Sequence, residues 1–158
     1  MSETKKNKAA SSTPSEPRLR AGATVSDGAR ILDSEAAESF ALGIAESLVD
    51  DKCTDVIVID VRGVSPVTGY IVIGSGTSAR QMGAALDHLD EVAEAHGTKV
   101  FKVSTDNDSL WLLADFVDVV VHLFEPGARA HYDLEMLWSD GKRVQLPEDL
   151  VKRMHYER

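Results

Sequence analysis

Apolar residues recur three and four positions apart in two stretches of the chain, which is the spacing of one face of an α-helix. The first helix is predicted to begin at an N-cap formed by Asp33 or Ser34 and to end near Lys52. The second begins at Ser78, which together with Gln81 matches the capping-box pattern. The two apolar stripes comprise Ala37, Phe40, Ala41, Ile44 and Leu48 in the first helix, and Met82, Leu86, Leu89 and Ala93 in the second.

Five further apolar stretches lack helical spacing and predict β-strands. The run at 118–124 is nearly continuous and β-branched, which is typical of a strand covered on both faces. Only Phe116 and Val117 separate it from the preceding strand, so the two strands are predicted to form a hairpin. Residues 99–103 instead alternate between polar and apolar side chains, which predicts one face in water. The predicted strands are 55–61, 70–73, 99–103, 111–115 and 118–124.

A last helix is predicted from Pro126, which fits a first helical turn, to about Trp138. The element order αββαβββα then predicts an α/β fold in which a mixed β-sheet of about five strands is flanked by helices. Residues 1–30 are poor in large apolar side chains and predict a flexible basic tail. Residues 31–138 are predicted to form the one domain, and residues 139–158 a charged tail with a short stretch of helical spacing.

The charge is distributed unevenly, since residues 31–138 carry 19 acidic and six basic side chains in a chain of net charge −9. An acidic domain repels phosphate backbones, so direct nucleic-acid binding is disfavoured except by the basic N-terminal tail, and a basic protein partner is favoured. A merely solvated acidic surface explains the charge equally well. No apolar run is long enough to cross a bilayer and no secretory signal is recognisable, so we expect a cytoplasmic protein without membrane attachment.

Few residues suggest chemistry. Cys53 is the one cysteine, has no neighbouring His and is predicted to fill the core. Asp118 and His122 face the same way on one strand but lie about 13 Å apart at ~3.3 Å per residue, too far to share a metal ion. Asp115 lies across the hairpin and can approach only Asp118. We therefore predict no metal site, no catalytic nucleophile, and a hydrogen-bonded structural role for His122.

The loop from Gly74 to Ser78 reads GSGTS and stands between a predicted strand and a predicted helix, as part of a dinucleotide-binding fingerprint does. The chain lacks the second βαβ half of the full dinucleotide-binding fold, and no Lys follows the glycines as a Walker A loop requires. The capping box also gives these residues a structural role. A nucleotide-binding enzyme or sensor that uses Gly74 to Ser78 is therefore the alternative hypothesis, and no cofactor is predicted.

Both tryptophans of the chain and one of its three tyrosines fall within residues 111–138. Aromatic side chains are favoured both in cores and at the centres of protein interfaces. Composition favours the core for Trp138 and leaves Trp111 and Tyr132 open between core and interface. Exposed aromatic side chains among acidic ones would suit a basic protein partner.

Five segments of the sequence together resemble the ribosomal silencing factor family, also called the Iojap-like family. They stand in the order and spacing of that family and cover residues 35 to 138. The segments read DVIVIDVRG at 55–63, YIVIGSGTSARQ at 70–81, WLLAD at 111–115, DVVVHLF at 118–124 and YDLEMLW at 132–138.

The resemblance implies an α/β fold like that of the nucleotidyltransferases, without the G-S-x-x-x-D-x-D pattern that holds the metals of that chemistry, and hence a protein that is not an enzyme. It implies a translational repressor, a homodimer, that binds the large ribosomal subunit through ribosomal protein fourteen and blocks joining of the small subunit when nutrients are scarce. By position, it implies Trp111 and Tyr132 as the aromatic residues that contact the partner. The other residues that match the family's pattern as partner contacts are Arg80, Asp115, Asp118 and Arg129.

The sequence departs from the family's pattern at two places. Phe116 and Val117 stand where the family usually has a tyrosine or leucine followed by glycine. Residues 104–109 form a polar turn where the family often has a longer loop rich in Gly and Glu. We therefore expect the hairpin geometry and the loop contacts to differ from the family's.

Overall fold

The computed structural model describes residues 32–106 and 110–156, so the predicted flexible tail at 1–30 lies outside the described residues. Five helices and six strands are formed within these two ranges. The helices are α1 (Ser34–Asp50), α2 (Ala79–Ala95), α3 (Pro126–Tyr132), α4 (Leu134–Leu137) and α5 (Glu148–Tyr156). The strands are β1 (Thr54–Asp60), β2 (Tyr70–Ser75), β3 (Lys102–Asp106), β4 (Trp111–Asp115), β5 (Val119–Phe124) and β6 (Lys142–Arg143).

The six strands form one mixed sheet in the order β3-β4-β5-β2-β1-β6. Neighbouring strands are antiparallel except for β2 and β5, which are parallel. The predicted α/β fold with a mixed sheet is confirmed, but the predicted number of five strands was wrong. The sixth strand consists of Lys142 and Arg143, which are both exposed and carry no apolar pattern. Their pairing with Asp60 and Ile59 of β1 is what makes them a strand, and no local signal predicts that pairing.

Apolar side chains cover both faces of the sheet, and different helices bury the two faces. The apolar stripes of α1 and α2 pack on one face, where they form the larger part of the core. The other face is covered by the short helices α3 and α4, through Ala128, Leu134 and Trp138. The side chains that meet these two short helices include Ile59, Ile71, Ile73 and Phe124 of the strands, and Val61, which follows β1.

Both predicted helix caps are confirmed. The Asp33 side chain accepts a hydrogen bond from the Ala36 N–H at 2.8 Å, which satisfies one of the free donors at the start of α1. Ser78 Oγ accepts from the Gln81 N–H at 3.1 Å at the start of α2. Cys53 is buried in the core between α1 and β1, as predicted.

Two predicted elements differ from those in the structure. β3 begins and ends three residues later than the alternating pattern at 99–103 predicted, because this edge strand takes its register from its pairing with β4. The helix predicted from Pro126 to Trp138 is interrupted at Asp133, whose φ of +49° lies in the left-handed region. The Asp133 side chain accepts from the Met136 N–H and so caps α4. The chain therefore turns at Asp133 and covers the sheet with two short helices instead of one.

The predicted hairpin between β4 and β5 is present, and its turn is centred on Val117. Val117 has a φ of +77°, and the Asp118 N–H donates to the Phe116 carbonyl at 2.9 Å. This arrangement is a γ-turn with a positive φ, which is rare and strained, and a β-branched side chain adds to the strain. The strained residue, Val117, stands where the family that the sequence resembles usually has glycine.

Val117→Gly is expected to stabilise the protein by about 1 kcal/mol. Relief of a positive-φ strain of about 1–3 kcal/mol outweighs the backbone entropy that glycine adds to the unfolded chain, about 0.4–1 kcal/mol. The change is measured by urea denaturation of both proteins. Val64→Gly is the matched control, because Val64 is also a partly exposed valine in a turn but lacks a positive φ. A gain of stability in the control, or none at position 117, would contradict the assigned strain.

Candidate functional site

Four aromatic rings from three elements meet at one end of the β4-β5 hairpin. Trp111 begins β4, His122 and Phe124 lie in the last half of β5, and Tyr132 ends α3. The ring centroid of Trp111 lies 4.8 Å from that of Tyr132, 5.2 Å from that of Phe124 and 5.9 Å from that of His122. We call these four residues the aromatic cluster.

The register of the sheet and the path of α3 assemble the aromatic cluster. Trp111 lies directly opposite Phe124 in the antiparallel pair of strands, so their side chains share one face of the sheet. Immediately after Phe124, the Glu125 side chain accepts from the Gly127 N–H and starts α3. This helix lies over the same face and brings Tyr132 onto the ring of Trp111. The two aromatic residues predicted to contact a partner are therefore brought together.

His122 is the polar member of the aromatic cluster and is buried. Its Nδ1 accepts a hydrogen bond from the Nε1–H of Trp111, with 3.1 Å between the two nitrogen atoms. Burial lowers the pKa of His122 to about 3, so the imidazole is neutral at physiological pH, and its proton is on Nε2 because Nδ1 is the acceptor. The predicted hydrogen-bonded structural role of His122 is confirmed.

Large apolar side chains are exposed in the aromatic cluster and in the helix that follows it. Tyr132 exposes 40% of its surface, and Met136 and Leu137 of α4 expose 67% and 58%. Trp111 is half-buried. Neighbouring exposed apolar side chains are a common feature of surfaces that bind another protein. We call Trp111, Tyr132, Met136 and Leu137 the apolar face.

Sequence reasoning missed Met136 and Leu137 as candidate site residues. Leu134 and Trp138 pack onto the sheet, so the two apolar residues between them point away from it. The signal was present in the sequence, because LEMLW at 134–138 has four apolar residues in five positions, more than one face of a helix can bury.

Arg129, predicted as a partner contact, is buried between the short helices and the sheet. Its Nη1 donates to the Asp55 carbonyl at 2.7 Å and to Ser75 Oγ at 2.8 Å. Its Nε and Nη2 donate to the two carboxylate oxygens of Glu135 at 3.2 Å and 3.0 Å. The guanidinium thus connects α3 and α4 to β1 and β2, and it stabilises the two helices that carry Tyr132, Met136 and Leu137. The other predicted arginine, Arg80, is exposed in the first turn of α2.

Asp115 and Asp118 lie at the turn of the hairpin, at the end opposite the aromatic cluster. Asp115 is buried, and its carboxylate accepts from the Val117 N–H at 2.8 Å. Asp118 is half-buried, which raises the pKa of its carboxyl group, and it accepts from the Leu32 N–H at 2.8 Å. The two aspartates therefore brace the turn and the entry to α1 and do not surround Trp111.

The loop from Gly74 to Ser78 is arranged as a helix cap. Two of its backbone donors are engaged within the protein: the Gly76 N–H donates to the Phe124 carbonyl and the Thr77 N–H to Gln81 Oε1, both at 2.9 Å. A Cβ atom at Gly76 would overlap the Met82 side chain, so protein atoms already fill the space above this glycine. A phosphate-binding loop needs free N–H groups that point at the ligand, and the geometry of this loop does not favour a nucleotide.

Neither a metal-binding cluster nor an activated thiol is found among the described residues. Among residues 32–106 and 110–156, no three His, Cys, Asp or Glu side chains are close enough to hold a metal ion. Burial raises the pKa of the Cys53 thiol to about 11, which keeps it protonated and unreactive at neutral pH.

None of the helices in the described part of the chain is long and apolar enough to cross a membrane.

Comparisons with known proteins agree on one family. A family model described as "Ribosomal silencing factor during starvation" matches residues 34–158. A ribosomal silencing factor of Bacillus subtilis is 36% identical over 106 residues, which are 66% of this chain and 90% of that protein. A mouse protein named mitochondrial assembly of ribosomal large subunit protein 1 is 33% identical over 116 residues, 66% of this chain and 51% of that protein. A crystal structure of a Chromobacterium violaceum protein is similar with a TM-score of 0.60 and 26% identity, covering 74% of this chain and 92% of that chain.

Proposed function

The chain belongs to the ribosomal silencing factor family, and we propose that it represses translation by binding the large ribosomal subunit and blocking the joining of the small subunit. The family is regulatory and non-enzymatic, so repression requires only that the protein occupy a surface. We propose nutrient limitation as the condition, because the description of the matching family names starvation.

The apolar face is the observation that carries this proposal. The rings of Trp111 and Tyr132 are in tilted contact, with 4.8 Å between their centroids, and Tyr132, Met136 and Leu137 expose apolar surface within the described part of the chain. Aromatic anchors in contact with each other, together with exposed aliphatic side chains on the following helix, have the composition of the energetic centre of a protein interface. A protein surface of the large subunit is therefore the proposed docking site.

A basic ribosomal protein fits the charge of the domain. Residues 31–138 carry 19 acidic and six basic side chains, which accelerate and orient docking on a basic partner and disfavour contact with phosphates of ribosomal RNA. The name of the mouse relative, which refers to assembly of the large ribosomal subunit, supports that subunit as the partner. We propose ribosomal protein fourteen as the contacted protein, on the family resemblance.

The predicted contact residues divide into two groups by their placement. Trp111, Tyr132 and Arg80 can touch a partner directly. Arg129, Asp115 and Asp118 act through the positions of the elements they hold. Homodimerisation is part of the proposal and rests on the same resemblance. A cytoplasmic site of action is also part of the proposal, as the expectation drawn from the sequence.

The proposal predicts that the purified protein co-sediments with large subunits and lowers the yield of whole ribosomes when small subunits are added afterwards. Sucrose-gradient profiles measure both effects. The order of addition is the control, because a protein that acts by bulk at the joining surface is expected to have little effect on ribosomes that have already joined. Binding to large subunits with an unchanged yield of whole ribosomes would contradict the steric block.

A further inference from the structure

The indole N–H of Trp111 already has an acceptor inside the protein. It donates to Nδ1 of His122, and the two nitrogen atoms are 3.1 Å apart. This acceptor is buried and neutral, because burial lowers the pKa of His122 to about 3. An indole has one N–H donor and no acceptor. Trp111 therefore has no polar group left for a partner.

His122 is itself held in place by the centre of the sheet. It lies on β5, directly opposite Leu113 of β4 and Ile73 of β2. Its ring is nearly parallel to that of Phe124, with 6.2 Å between centroids and 8° between planes. A side chain on a central strand, packed on both sides, offers its acceptor at a fixed point.

We propose that His122 is a positioning residue for the apolar face: its Nδ1 fixes the indole of Trp111 so that the ring surface, and not the N–H, meets the partner. The inference deepens the proposed function and rests on it, since Trp111 is the anchor of that function. The partner group over Trp111 is then aliphatic or cationic, because neither kind of group needs a hydrogen bond from the indole. A basic ribosomal protein supplies both kinds.

Two substitutions separate the acceptor of His122 from its ring. His122→Phe keeps a flat ring beside Phe124 but has no acceptor. His122→Asn loses the ring but carries an amide oxygen on the same carbon atom that bears Nδ1 in histidine. His122→Phe is expected to weaken binding to purified large subunits about fivefold, for the loss of one neutral hydrogen bond, and His122→Asn is expected to stay within about twofold of the unmodified protein.

A double-mutant cycle assigns the effect to the bond with Trp111. Trp111→Phe keeps a ring but has no N–H, so the hydrogen bond is already missing in that background. There, His122→Phe is expected to change the affinity less than about twofold. The proposal would be overturned if His122→Phe weakened binding equally in the unmodified protein and in the Trp111→Phe protein. It would also be overturned if His122→Phe and His122→Asn weakened binding by the same factor.

The fluorescence of Trp111 tests the positioning without a ribosome. Trp138→Phe leaves Trp111 as the one tryptophan of the chain, and acrylamide quenching then reports how firmly its indole is held. His122→Phe is expected to increase the quenching, and His122→Asn is expected to leave it unchanged. Unchanged quenching in the Phe variant would overturn the proposal. Failure of the unmodified protein to bind large subunits would instead remove the proposed function, while the quenching still decides the role of His122.

Discussion

Trp111→Ala is expected to weaken binding to large ribosomal subunits at least about 30-fold, which co-sedimentation registers as loss of the complex. This is the effect of removing an interface hot spot worth about 2 kcal/mol or more. The substitution removes the ring that stacks on Phe124 and contacts the ring of Tyr132 at a tilt, and with it the centre of the apolar face. Tyr132→Ala removes the exposed half of the same pair and is expected to have a similar effect.

Val103→Ala is the matched control for both substitutions. Val103 is about as exposed as Tyr132 but lies on β3 opposite Ala114, whose side chain belongs to the other face of the sheet. Its loss is expected to leave co-sedimentation unchanged. Circular dichroism and cooperative thermal unfolding must show that all three variants are folded. Unchanged binding by folded Trp111→Ala and Tyr132→Ala proteins would rule out the apolar face as the docking surface.

Elements with a local signal could be predicted from the sequence. The caps at Asp33 and Ser78 depend on side chains that bind the backbone three residues away, so the pattern of the chain contains them. The continuous apolar runs of β1 and β5 also predict these strands as central ones, because a strand that is covered on both faces has apolar side chains on both faces. Trp111 and Tyr132 could be singled out by residue type and by family resemblance. Their contact with each other could not, because it depends on the register of the sheet and the path of α3.

Features that depend on partners far along the chain could not be predicted. β6 exists only because β1 offers an open edge to two exposed basic residues. Asp115 and Asp118 were predicted as partner contacts together with Trp111 and Tyr132, but the strand register puts them at the far end of the hairpin. Arg129 was predicted as a partner contact, which needs an exposed side chain. Its acceptors on Asp55 and Ser75 belong to strands that precede it by more than fifty residues, so its burial could not be predicted.

Arg129→Ala is expected to destabilise the protein by about 3 kcal/mol, the largest effect on stability among the substitutions considered. Removing one member of a buried ion pair costs about 3–5 kcal/mol, and the partly exposed Glu135 can recover some of this by hydration. The substitution also leaves the Asp55 carbonyl and Ser75 Oγ without this donor. For a chain of this size the loss corresponds to a fall in Tm of about 6–12 °C, which thermal unfolding measures.

Arg143→Ala is the control for this prediction, because Arg143 approaches the same Glu135 carboxylate from the solvent side. Its Nη2 lies 4.0 Å from that carboxylate and its side chain is 61% exposed, so its removal is expected to cost less than about 1 kcal/mol. Arg129→Lys is expected to recover little of the stability, since one ammonium group cannot reach acceptors on β1, β2 and α4 together. Equal effects of Arg129→Ala and Arg143→Ala would show that the buried network does not hold α3 and α4. A large effect of Arg129→Ala alone would show that the buried network holds α3 and α4, the helices that carry Tyr132, Met136 and Leu137.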